Sequence, residues 1–155
     1  MDVCSLFLDQ HAVVQSAAVA GNKASAAERS FGGVTDDQMR LRPREDLNSL
    51  AWLMWHIARL EDIALNSVLS GRPQVLDDGW LGKLKIARRD FGIGMTSPEV
   101  TELTREVDVA ALREYRDAVG RRTREIVGAF GDKDWEGQIA ADDLQRAASE
   151  GAFGN

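Results

Sequence analysis

The chain has 155 residues, 44% of them hydrophobic, a formal net charge of -6 and a pI of about 4.9. This supports one core and one domain over residues 1–155 and is too apolar for a disordered chain. The acidic balance repels a phosphate backbone or an anionic membrane, which excludes nucleic acid and membrane as expected partners.

In chain order, Cys4, Phe7, His11, Val14 and Ala18 fall at steps of three and four. That spacing predicts a helix from Val3 to about Ala20. Gly21-Asn22 either ends it or marks a weak point before Lys23–Ser30, and Gly32-Gly33 closes the region. Thr35, with Gln38 three residues on, predicts a cap and one short turn. Arg42-Pro43 breaks it, because the residue before proline is pushed out of helical geometry. A second long helix starts at Asn48 as N-cap and stops at Gly71 with Pro73 beyond it. Its roughly 22 residues span ~33 Å. Its first half, Leu50 to Ile57, is apolar almost all round, which predicts burial on several sides.

The stretch from Arg72 to about Ser97 is rich in glycine and charge and too long for a tight hairpin. It predicts a crossover joining two parallel helices. Its basic run, Lys83-Leu84-Lys85 with Arg88 and Arg89, is flanked by Asp77, Asp78 and Asp90 and reads as a solvated face. Ser97-Pro98-Glu99 predicts a short helix capped by Ser97. Asp108 caps a third long helix to about Phe130, with Leu112, Tyr115, Val119, Ile126 and Phe130 as its buried stripe. The tail holds one more short helical pattern, Ala141–Ala148. No strand, repeat or low-complexity tract is evident.

Cys4 is the only cysteine, so no intrachain disulfide is expected. No signal peptide pattern and no apolar run near ~18 residues is present. A soluble cytoplasmic protein is expected. Cys4 has no basic cluster or helix N-terminus aimed at it, so it is not expected to be a nucleophile. Gly92-Ile93-Gly94 lacks the strand that a phosphate loop needs.

His56 sits in the apolar half of the second helix, between Trp52 and Leu60. Burial there favours neutral imidazole, the form a metal ion needs. The alternative is a core histidine satisfied by one backbone or carboxylate partner. His11 is either a second ligand, brought to His56 if the first two helices pair, or a packing histidine. Glu61 and Asp62 point about 140° and 240° away from His56. They read as surface charges or as partners for arginines of another helix.

The run Leu41-Arg42-Pro43, Asn48-Ser49-Leu50-Ala51-Trp52-Leu53, Trp55-His56-Ile57-Ala58-Arg59, Glu61-Asp62 resembles the second helix of DinB-like proteins. These include mycothiol-dependent maleylpyruvate isomerases and bacillithiol transferases. Gly71-Arg72-Pro73 and Gly92 to Val100 support the resemblance, which covers about residues 35 to 130. It implies an all-α four-helix bundle with a long crossover between helices two and three. It also implies a divalent metal, zinc or nickel, held by three histidines, with His56 in the position of the first. The other two would form a His-x-x-x-His pair on the last helix, and no histidine follows His56 here. The expected last helix is therefore missing or short, either because the chain continues elsewhere or because the metal site has been lost.

The resemblance points to a metal-dependent enzyme, a thiol transferase or hydrolase using a low-molecular-weight thiol, with His56 as metal ligand. The alternative is a non-catalytic helical module that binds a small molecule or dimerises. An uncovered core would favour a homodimer.

Overall fold

A computed structural model describes residues 2–154. Short helices come first: α1 (Val3–Val14), α2 (Ala17–Ala20), α3 (Ala26–Phe31) and α4 (Asp36–Met39). Then comes α5 (Leu50–Glu61), which continues directly into a π-helical segment, Asp62–Leu69. α6 (Asp78–Leu84) lies inside the crossover, followed by α7 (Ser97–Glu106) and α8 (Val109–Gly128). α9 (Asp132–Trp135) and α10 (Ala141–Ser149) form the tail. No strand occurs among the described residues.

The helix ends follow local chemistry. The hydroxyl of Thr35 accepts from Gln38 N, and the Gln38 side chain returns to Thr35 N, a reciprocal cap. Asp108 caps α8 by accepting from Ala111 N at 3.0 Å. Two caps differ by one residue from expectation. Ser49, not Asn48, caps α5, because its hydroxyl accepts from Trp52 N at 3.0 Å and pairs with the buried Thr104 hydroxyl at 2.7 Å. Thr96, not Ser97, precedes α7, because the Glu99 carboxylate accepts from the Thr96 N–H at 2.7 Å and its hydroxyl at 2.8 Å. The expected first helix also breaks early: Gln15 is extended and Ser16 starts α2.

Cross-helix bonds give the topology. Asp62 meets Tyr115, and Asn66 meets Val119 and Thr123, so α5 with its π segment runs parallel to α8. That is the arrangement the long crossover predicts. Cys4 donates to Val127 O, Arg124 to Leu8 O and Arg116 to Val14 O, so α1 runs antiparallel to α8. The tail helix α10 packs on the π segment. Ala147 packs with Ile63 and Val68, and Arg146 donates to Ser67 O. α10 has nine residues and covers the π segment.

The main core is built on Trp55, Met39, Met54, Leu84, Leu112, Tyr115 and Val119. Through its centre runs a polar network. The side chains of Arg59 and Asp62 are both 0% exposed and pair at 3.0 Å. Tyr115 donates to Asp62 Oδ2 at 2.6 Å and accepts from Arg59 Nη1 at 2.9 Å. Burial, and then the Asp62 charge, push the Tyr115 hydroxyl well above its ordinary pKa, so it stays a donor. Asp62 also accepts from Val75 N at 2.8 Å and Leu76 N at 2.9 Å, while Arg59 donates to Gln74 and to Arg89 O. The crossover is tied to the bundle at both of these points.

Replacing Asp62 by Ala leaves Arg59 buried without its anion, and a loss of about 3–5 kcal/mol is expected in urea unfolding. Tyr115→Phe keeps the pair and removes one hydroxyl, so its loss should stay within about 1–3 kcal/mol. Equal losses would show that the charge pair is not the dominant element.

Glu99 gives a pH-dependent counterpart. The Thr96 N–H, then the Thr96 hydroxyl, then Arg88 hold its carboxyl at about 2, below its ordinary 4.5. A folded value below the unfolded one stabilises fully above 4.5, and this is lost as pH falls toward about 2. Wild type and Glu99→Gln should therefore differ in urea midpoint at neutral pH and converge near pH 2.

Candidate functional site

His56 projects from the apolar half of α5 toward the crossover. Its ring stacks on Trp52, with centroids 4.7 Å apart and planes 12° from parallel. Phe91 lies on another side at 6.0 Å, and Phe153 from the tail packs edge-on to Phe91. His56 Nδ1 is hydrogen-bonded to the carbonyl oxygen of Phe91. A carbonyl only accepts, so Nδ1 carries a proton, and in the neutral ring Nε2 holds the lone pair. Such a backbone bond is what orients a metal-ligating imidazole. The tautomer therefore suits a ligand.

The rest of the surroundings does not. A zinc or nickel site needs two or three more nitrogen, sulfur or oxygen donors. Among the described residues, no group of three or more His, Cys, Asp or Glu side chains is placed to hold an ion. α10, the last helix among the described residues, has the sequence ADDLQRAAS and offers no histidine or cysteine. Its Asp143 is paired with Arg146 at 2.7 Å. Glu150, just past its end, accepts from Gln74 at 2.6 Å. The neighbours of His56 are aromatic rings, so the donor set does not fit the metal that the resemblance implies.

The other singled-out residues go elsewhere. His11 does not approach His56; its Nε2 meets Glu61 Oε1 at 2.9 Å and its ring stacks on Phe7. Glu61 also accepts from Gln15 at 2.5 Å. It is thus a partner for α1, which corrects its reading as a surface charge. Asp62 is likewise not at the surface, and its arginine comes from its own helix, three residues back. The cause is the returning crossover, which supplies the two N–H groups a buried carboxylate needs. Cys4 donates its thiol to Val127 O at 3.0 Å and anchors α1. Arg88 pairs with Asp90 and Glu99, and Arg89 with Asp78, as a solvated basic run should.

Two features carry no sequence signal of their own. One is Arg116, buried on α8 beside a cleft bounded by α1, α3 and α5. The other is Gly92, whose φ of +88° lets the chain pass against the indoles. A Cβ there would come within 2.6 Å of Trp55 Cζ3 and 3.0 Å of Trp52 Cζ2.

The profile of a family described as the DinB superfamily matches residues 23–150. No curated protein matches the chain. No helix among the described residues is long and apolar enough to cross a membrane.

Gly92→Ala should cost about 1–3 kcal/mol, since it adds both a left-handed non-glycine residue and a clash with two indoles. It should also shift the His56 imidazole signals in NMR, because Phe91 precedes it in the chain. Unchanged imidazole signals would mean that Phe91 does not set the ring's position.

Proposed function

This chain belongs to the DinB superfamily, and from that premise we propose that it works as a non-catalytic helical binding module. In this reading His56 is kept as a packing and orienting residue after loss of the metal site. The observation that carries it is the donor set: one imidazole between Trp52 and Phe91, with His11 and Cys4 engaged elsewhere and no group of three ligating side chains among the described residues. A lone neutral imidazole holds a divalent ion poorly, because structural and catalytic sites use three or four protein ligands.

A second reading has one observation in its favour. Phe91 O fixes the Nδ1–H tautomer and leaves Nε2 as a free lone pair. With donors supplied from outside these residues, His56 would be the first ligand of a zinc- or nickel-dependent thiol transferase or hydrolase. A low-molecular-weight thiol would then be the co-substrate.

The partners proposed for the module are a small molecule and a second copy of the chain. The homodimer rests on the apolar side chains that α1 turns to solvent, Val3, Leu6 and Val13. They lie on one stripe, at steps of three and seven.

Metal content after zinc and nickel loading and dialysis separates the two readings. Well under one ion per chain is expected, with no change in His56→Gln. One ion per chain that is lost in His56→Gln would overturn the module and establish the metal enzyme. Light scattering should give a dimer mass, reduced to a monomer by Leu6→Glu.

A further inference from the structure

Among the described residues, Arg116 is the second buried guanidinium, and unlike Arg59 it has no counter-ion there. It is 6% exposed. Its only side-chain hydrogen bond among the described residues is from Nη2 to Val14 O, at 3.2 Å. The face of Phe31 lies 5.7 Å from it. Burial lowers its pKa, and the charges of Glu61, Asp117 and Glu28 only partly offset this.

Each of those carboxylates is engaged elsewhere. Glu61 holds His11 and Gln15, Asp117 accepts from the Ser16 hydroxyl at 2.5 Å, and Glu28 accepts from Ala17 N at 2.7 Å. None forms an ion pair with Arg116. A guanidinium has five N–H donors, and burying it unpaired costs several kcal/mol unless something completes it.

What it borders is a cleft of about 440 Å³ between α1, α3, α5 and α8. That lies within the roughly 300–1,000 Å³ typical of small-molecule sites. The walls are apolar: Val14, Phe31, Leu53 and Ile57. The polar groups gather at Arg116, Glu61 and Gln15. Gln15 is itself buried, with its Oε1 unpartnered. A second hollow of about 190 Å³ shares Arg116, Phe31 and Ala27 with the first.

We propose that this cleft binds a small monocarboxylic acid with an apolar tail, its carboxylate on Arg116 and its tail along Leu53, Ile57 and Phe31. A planar carboxylate matches the guanidinium fork, and each gains a charge-assisted hydrogen bond. The three neighbouring carboxylates set the ligand's charge, because they repel a doubly charged phosphate more than a monoanion. The apolar walls add affinity in proportion to the tail they cover. This site names a ligand class for the binding module and rests on that reading.

Octanoate and its neutral counterpart octanamide are the probes, followed by titration calorimetry at neutral pH. Octanoate is expected to bind saturably and octanamide at least tenfold more weakly. Arg116→Met should abolish octanoate binding. Ile57 is 40% exposed, so Ile57→Trp can fill the cleft without disturbing the core; it should abolish binding with an unchanged melting curve. Ile57→Trp also decides the matter if Arg116→Met does not fold. Equal affinity for acid and amide, octanoate binding that survives Ile57→Trp, or no octanoate binding to folded wild type would each overturn the proposal. Those results leave the module with a different ligand, whereas one bound metal per chain removes the module itself.

Discussion

A single carboxylate governs how this bundle is put together. Asp62 is fully buried and accepts from Arg59, Tyr115, Asn66 and the backbone N–H groups of Val75 and Leu76. An ionised group this far from water is tolerated only when nearly every lone pair is used. That requirement fixes several distant parts at once. α8 must present Tyr115 at the level of Asp62, which sets the register of the two parallel helices. The crossover must return at residues 74–76 to supply its amides. Arg59, held by the same carboxylate, then reaches Arg89 O and ties down the far end of the crossover. The change from α- to π-helix begins at Asp62 itself, and π turns, rare overall, are frequent at functional sites.

The helical layout was legible because its punctuation is chemical and local. Thr35 with Gln38, Asp108, and Gly71 at a φ of +67° each act within a few residues of themselves. The one-residue slips have a common cause. Asn48 and Ser49, or Thr96 and Ser97, are almost equivalent as caps, so a partner from elsewhere decides. For α5 that partner is Thr104, fifty-five residues away. α6 was not legible at all: seven residues with two glycines show no periodicity to count. Asp62 and Glu61 failed for a deeper reason. Acidic residues are almost never fully buried unless paired, so a surface position is the default for them. The returning crossover reverses that default for Asp62, and the α1 region does so for Glu61 through His11 and Gln15; both are tertiary facts.

The residues around His56 are built into the core of the bundle. Trp52, Trp55, Ala58 and Arg59 all serve the core or the charged network, independently of any ion. His56 stays useful among them because Nδ1 satisfies the carbonyl of Phe91, in a loop that must pass close to both indoles at Gly92. α10 needs only to cover the π segment, and nine residues with Ala147 at the contact do that.

The two buried arginines make the remaining contrast. Arg59 has a carboxylate, a phenol, an amide and a backbone carbonyl around its two terminal nitrogens. Arg116 has one carbonyl and an aromatic face. Both sit where desolvation is costly, yet only the first is compensated within the chain. The charges of Glu61 and Asp117 bear on Arg116, yet neither forms an ion pair with it. Instead each is held by another donor, His11 and Gln15 in one case and Ser16 in the other. Those donors belong to α1 and to the turn after it, so the element that closes the cleft also keeps its cation unpaired. A guanidinium kept free in this way, beside an apolar hollow, is a site preorganised for an anion that the chain itself does not supply.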